Sequence, residues 1–293
     1  MATQRIRAAN TRRAGWLALI ASVLTLGLIA YGSWVRVSGS GLGCPDWPLC
    51  EGVLVPEIEG ATAIEFGHRV YAGVTMVVVA ASAAFAFRAR AQDRLSSHLL
   101  VGAFVAILAQ AVLGGITVLT ELHSMVRLAH LTFSLLTLAL LTGGAARALD
   151  VRLTPPPDAR RWQALVIAAA VVVLAGGTIV GTGHSPGCPG LPLCDARSST
   201  EAAWVHHIHR LAATALLLAL VWTAWQARRA GGWAFYVSVI AALLAAAQFT
   251  VGVSAILLRL PQELRVLHLG LAAAVWWAVV AQWSFALLGR TRR

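Results

Sequence analysis

Four histidines carry most of the chemistry available to this sequence. His68 and His209 are each followed directly by an arginine, in "EFGHR" (65–69) and "HHIHR" (206–210). His130 and His268 each have an arginine three residues earlier, in "RLAHL" (127–131) and "RVLHL" (265–269). On a helix that three-residue spacing puts the two side chains on one face. Imidazole ligates iron, and two imidazoles approaching a flat macrocycle from opposite sides make bis-histidine haem ligation. A haem also carries two propionates at one edge, and arginine binds carboxylates in bidentate fashion. The pattern of ligand plus arginine therefore points to bound haem. It assigns Arg69, Arg127, Arg210 and Arg265 to propionates.

The other chemical residues are cysteines. "GLGCPDWPLC" (41–50) and "SPGCPGLPLC" (185–194) repeat Gly-Cys-Pro and Pro-Leu-Cys at the same spacing. Two prolines bend each Cys-x5-Cys loop. Cys44 with Cys50 and Cys188 with Cys194 read as disulfide staples, each stabilising by roughly 2 kcal/mol. A redox-active or metal-binding thiol pair is the alternative, chiefly for the first loop. A structural zinc wants four ligands, and each loop offers two.

The elements that must position these residues are membrane helices. The 293 residues are 58% hydrophobic and 12% charged, with mean hydropathy +0.74, too apolar for a soluble globule. Apolar runs over 15–35, 70–87, 99–119, 128–146, 163–182, 211–227, 233–258 and 266–288 reach or approach the ~20 residues that cross a bilayer. The shorter ones become full length once the polar residues at their starts are included. The first is a retained span rather than a cleaved signal.

The formal charge of +11 comes entirely from arginine, and its placement reports topology. Arg5, Arg7, Arg12 and Arg13, Arg88, Arg90 and Arg94, Arg147, Arg152, Arg160 and Arg161, Arg228 and Arg229, and Arg290, Arg292 and Arg293 occupy the tails and alternate loops. The remaining loops hold most of the acids. This positive-inside distribution predicts both termini in the cytoplasm, a cell-membrane location and no nucleic-acid partner. Both cysteine loops then lie outside, where thiols oxidise.

Four ordered blocks recur along the chain. The cysteine loops, "EFGHR" with "HHIHR", "AQAVLGG" (109–115) with "AQFTVGV" (247–253), and "RLAHL" with "RVLHL" pair in sequence order. Each half has four spans, so the expected fold is all-α and integral to the membrane, with eight transmembrane helices as two parallel-repeat four-helix bundles. The expected boundaries are a cytoplasmic tail at 1–14, an N-terminal half at 15–149, a proline-rich linker at 150–161 and a C-terminal half at 162–293. His68, His130, His209 and His268 then sit at the outer ends of spans 2, 4, 6 and 8. His123, seven residues before His130, is a reserve ligand or gate. His98 is structural, His184 has no assigned role, and His206 and His207 flank His209.

The two copies differ. Arg36, Asp46, Trp47 and Glu65 in the first half correspond to Val180, Gly190, Leu191 and His206 in the second. A site that only holds a haem needs ligands and propionate partners. A site that oxidises a carbon must also stabilise positive charge or move protons, and Glu65, one turn from His68, suits that task. The richer first half reads as the reaction site.

With "GSGLGCPDWPLC", "EFGHR", "RLAHL", "HHIHR" and "RVLHL" in place, the chain resembles the haem A synthase family, in the version with paired extracellular cysteines. The resemblance runs from Trp16 to about Leu288. It implies oxidation of the C8 methyl of haem O to a formyl group, giving haem A for terminal oxidases. It further implies that His68 and His130 face the substrate haem, that His209 and His268 ligate a haem b cofactor, and that Glu65 is catalytic. The expected partners are membrane lipid, a haem O synthase that supplies the substrate, and a quinone or extracellular thiol redox partner. A di-haem b-type electron-transfer cytochrome would share the histidines without needing Glu65. A haem transporter would need broken helices, for which Gly114, Gly115, Gly176 and Gly177 are the weak candidates.

Overall fold

The computed structural model describes residues 2–151, 159–195, 198–229 and 231–287. Among them the protein is all-helical: α1 (Ala2–Val37), α2 (Gly60–Arg88), α3 (Arg94–Leu119), α4 (Ser124–Ala148), α5 (Ala159–Gly181), α6 (Thr200–Ala227), α7 (Gly232–Leu257) and α8 (Gln262–Leu287). All eight are long and apolar enough to cross a membrane. In lipid, a helix is one of the two structures that satisfy every backbone donor and acceptor internally. Val77, Leu211, Leu218 and Leu243 are among the large apolar side chains left exposed, as a lipid-facing surface requires.

Helix starts fall before the apolar runs, for α2 and α6 at the polar residues that the sequence reading already adds to the shorter runs. The helix α1 begins at Ala2, so residues 2–14 of the segment expected to be a tail are helical and run on into the first span. The helices α2 and α6 start about ten residues before their apolar runs, because Glu65, His68 and Arg69, and His206, His209 and Arg210, are helical. Hydropathy hides these residues because they are polar. Most of the linker expected at 150–161 lies outside the described residues.

Each half closes on itself. In the first, α1 packs on α2, α2 on α3, α3 on α4 and α4 back on α1; in the second, α5 to α8 close in the same order. The seam between them joins α1 to α8, α4 to α5 and α4 to α8. Small residues bring the seam helices close: a Cβ placed at Gly270 of α8 would lie 3.4 Å from Cβ of Ala30 in α1. Across the same seam, Trp276 Nε1 donates to the carbonyl of Leu135 at 3.0 Å. Exchanging α1 for α5 and α4 for α8 maps these contacts onto themselves, and on that ground we propose the parallel repeat. At the end opposite the cysteine loops, Asp93 caps α3 through the Ser96 amide and pairs with Arg147 at 3.0 Å.

Candidate functional site

The four histidines share one local environment. Each lies on an even-numbered helix and faces a glycine of the preceding odd-numbered helix. A Cβ at Gly32 would meet Nε2 of His68 at 3.2 Å, and one at Gly114 would meet Cε1 of His130 at 3.5 Å. At Gly176 it would meet Cε1 of His209 at 3.0 Å, and at Gly252 Cε1 of His268 at 2.9 Å. The backbone carbonyl one turn before each glycine lies beside the same ring: Leu28, Gln110, Val172 and Gln248 respectively. A glycine exposes that carbonyl because no side chain stands over it. Gly32 and Gly176 are 144 positions apart, as are Cys44 and Cys188, while Gly114 and Gly252 are 138 apart, as are His130 and His268. Of the four glycines that the sequence offers as weak signs of broken helices, Gly114 and Gly176 lie in continuous helices as seats for imidazole, and Gly115 and Gly177 follow them in the same helices.

The imidazoles also pair. His68 lies within electrostatic reach of His130, and His209 of His268. Nδ1 of His130, His209 and His268 is buried without a hydrogen-bond partner. A buried polar nitrogen left unpaired is costly, and a bound ligand would relieve it. Among the described residues no three His, Cys, Asp or Glu side chains converge on one point. Two glycine-lined imidazoles per half, three of the four with an unpaired buried Nδ1, fit a haem, whose ring supplies the other four iron ligands.

The cysteine loops are anchored by the arginines that follow His68 and His209. Sulfurs of Cys44 and Cys50 lie 1.95 Å apart and those of Cys188 and Cys194 lie 1.94 Å apart, both disulfide distances. Arg69 donates to the carbonyls of Cys44, Asp46 and Leu49 at 2.8–3.0 Å, and Arg210 to those of Cys188, Gly190 and Pro192 at 2.9–3.0 Å. These contacts tie each loop to the helix that carries a histidine. The sequence assigned both arginines to propionates; the structure engages them with loop backbone. Arg127 and Arg265 have no ion-pair partner among the described residues, and Nε of Arg127 is buried and unpaired.

The asymmetry between the halves acquires a geometry. Glu65 is 7% exposed and accepts from Nε of Arg69 through Oε1 at 3.1 Å, while Oε2 makes no hydrogen bond among the described residues. At the equivalent place His206 turns to the carbonyl of His184 at 2.8 Å, and Nε of Arg210 is buried and unpaired. Asp46 accepts from the amides of Glu51 and Gly52 at 2.6 and 2.9 Å. The Gly52 amide, with that of Glu51 and the charge of Arg69, holds the Asp46 carboxyl below the usual carboxylate range. Trp47 lies over Gly115, where a Cβ would come within 2.6 Å of the indole. The first loop thus touches the glycine next to the one that seats His130.

Sequence reasoning missed two tyrosines. Tyr31 meets the His68 ring edge-on, with centroids 5.6 Å apart, and Tyr71 stands 6.3 Å from Tyr31. Each hydroxyl sits against a glycine of the opposite helix, Tyr31 on Gly67 and Tyr71 on Gly27. Repeat offsets put Ala175 and Ala212 at the matching places, a difference visible in the alignment of the halves. The remaining histidines are peripheral. His123 is the exposed N-cap of α4 and precedes the helix, so the seven-residue argument for its sharing a face with His130 does not apply. His98 is exposed, His184 bonds Thr182, and His207 accepts from the Cys194 amide at 3.2 Å.

Fold and site together define a multi-pass helical membrane protein with two partly buried, glycine-seated histidines in each half. Its chain belongs to the COX15-CtaA family of cytochrome oxidase assembly proteins, whose family model matches residues 15–63 and 57–280. It is similar to the heme A synthase of Symbiobacterium thermophilum, 32% identical over 274 residues, or 85% of this chain and 87% of the relative. The heme A synthase of Bacillus pumilus is 31% identical over 221 residues, covering 70% and 71% of the two chains. That of Geobacillus kaustophilus is 28% identical over 299 residues, covering 95% and 92%.

Proposed function

We propose that this chain is a haem A synthase, an oxidoreductase that converts the C8 methyl of haem O to the formyl group of haem A. Family membership and relatives named heme A synthase over most of the chain support the reaction. The observation that carries the assignment of sites is the contrast at one helical position, Glu65 in the first half and His206 in the second.

On this reading His209 and His268 hold haem b, and His68 and His130 receive haem O. Bound haem b supplies one-electron redox chemistry. The chain's own residues orient and protonate. The glycine seats fix the imidazoles. Arg69 anchors the first loop above the substrate half and holds Oε1 of Glu65, leaving Oε2 to take a proton or to face positive charge developing at the methyl carbon. Tyr31 braces the ring of His68. The termini lie in the cytoplasm and the cysteine loops outside, in keeping with the arginine-rich segments. The two cysteine pairs are staples. Converting the methyl to a formyl takes an oxygen from water and releases four electrons and four protons; a quinone, or an outer thiol–disulfide protein in its disulfide form, accepts the electrons, and a haem O synthase supplies the substrate.

The test is co-expression with a haem O synthase in a host that makes no haem A, followed by chromatography of the extracted membrane haems. A new peak with the mass and reduced pyridine spectrum of a formyl haem is expected. Only haems B and O, with the protein present and carrying haem b, would overturn the proposal in favour of a di-haem cytochrome.

A further inference from the structure

Among the described residues, five helix-borne arginines stand near the cysteine-loop end, and two are already engaged. Arg69 and Arg210 each give three hydrogen bonds from their terminal guanidinium nitrogens to loop carbonyls. The other three, Arg36, Arg127 and Arg265, come from α1, α4 and α8, the helices that meet along the seam between the halves.

Their depths agree. Ala30 of α1 faces Gly270 of α8, and the two helices are antiparallel. Arg36 lies six residues beyond Ala30 and Arg265 five residues before Gly270, about 9 and 7.5 Å along their axes toward the same end. Trp276 of α8 meets Leu135 of α4, and these helices run parallel. Arg265 lies about 16.5 Å and Arg127 about 12 Å from that contact, again toward the cysteine loops. The charges that Arg36 feels are those of Arg265 and Arg127.

All three are partly buried, and none has a carboxylate partner among the described residues. Nε of Arg127 is buried without any hydrogen bond. Three like charges collected in a low-dielectric seam are unfavourable unless an anion joins them. Two of the three already lie one turn from a histidine, Arg127 before His130 and Arg265 before His268. The third, Arg36, has Val180 at its repeat position, so the cluster is not a simple product of the repeat.

We propose that Arg36, Arg127 and Arg265 form one anion site at the seam that takes a propionate carboxylate from each of two haems, with Arg36 shared between them. The inference rests on the assignment of one haem to each half. It adds that the propionate edges of both converge on the seam, and that Arg36, a residue of the first half, is a positioning residue for the haem of the second.

The test uses the full-length protein, purified with its haem, in redox titrations followed by visible absorption. Arg36→Gln is expected to shift the one-electron equilibrium of the haem held by His209 and His268 toward the oxidised form by about tenfold, a potential about 59 mV lower. Arg265→Gln should shift it in the same direction. Arg36→Lys, which keeps the charge, should stay near the parent value. Arg259→Gln, in the exposed turn between α7 and α8, should leave it unchanged. No shift in Arg36→Gln, or an equal shift in Arg36→Lys, overturns the proposal. A parent potential that tracks added vesicles of anionic phospholipid, with Arg36→Gln abolishing the response, would also overturn it and assign the site to lipid phosphate. If His209→Ala kept its full haem complement, the failure would instead lie in the underlying assignment of haem to the second half.

Discussion

Substituting alanine for Gly252 separates a haem seat from a helix that merely contains glycine. The new Cβ would lie 2.9 Å from Cε1 and 3.3 Å from Nδ1 of His268. Carbon contacts settle at about 3.5–4.0 Å, so the ring must retreat by about 0.6–1.1 Å. It is backed by its own helix, and α7 cannot yield without losing its packing on α8. Displacing the support of a metal ligand costs about 10- to 100-fold in affinity. The helix itself should gain, because alanine is better in a helix interior than glycine by about 0.5–1 kcal/mol. Gly252→Ala should therefore lower the haem-to-protein ratio of the purified protein while leaving its thermal unfolding unchanged or raised. Gly114→Ala is the matched control, since its Cβ would stand at an ordinary 3.5 Å from His130. Full haem content in Gly252→Ala, or equal loss in Gly114→Ala, would refute the argument from contact distance.

Other outcomes follow from the same geometry. Glu65→Gln should reduce haem A formation by about 10²- to 10⁴-fold with haem b content intact, measured by extracted-haem chromatography and absorption. Arg69→Gln removes four hydrogen bonds and Arg210→Gln three. Each bond to a charged group is worth about 1.5–3 kcal/mol before the loop relaxes into water, so denaturation in detergent should find Arg69→Gln the less stable. The Asp46 carboxyl titrates below its unfolded value, so its contribution is present above about pH 3.9 and is lost as pH falls through the lower folded value. Hydrogen exchange at the Glu51 and Gly52 amides should quicken there relative to the rest of the first loop, and Asp46→Asn should remove that pH dependence.

Much of the architecture was legible because a bilayer demands long apolar runs, and eight of them are present. The helix starts were less so. Polar residues such as Glu65 and Arg69 interrupt the hydropathy signal while still being helical, and the arginine-bearing segment before Trp16 continues α1. The histidines and cysteine pairs were visible through their repetition. Arginine roles were harder, because a sequence shows which donors exist and not which acceptors they meet. Arg69 and Arg210 engage loop carbonyls, which no side-chain motif encodes. Tyr31 and Tyr71 escaped notice because they sit inside apolar runs, where a tyrosine resembles any other large side chain. His123 misled because helical spacing was counted across a residue that lies outside the helix.

The central claim is that the halves differ in task, with haem b resident in the second and haem O received by the first. Its most direct test is the haem content of two purified variants, each co-expressed with a haem O synthase. His268→Ala should lose haem b yet still carry haem O, and His68→Ala should keep haem b at the parent ratio while producing no haem A. The opposite pattern, haem b lost with His68 and kept without His268, would contradict the account.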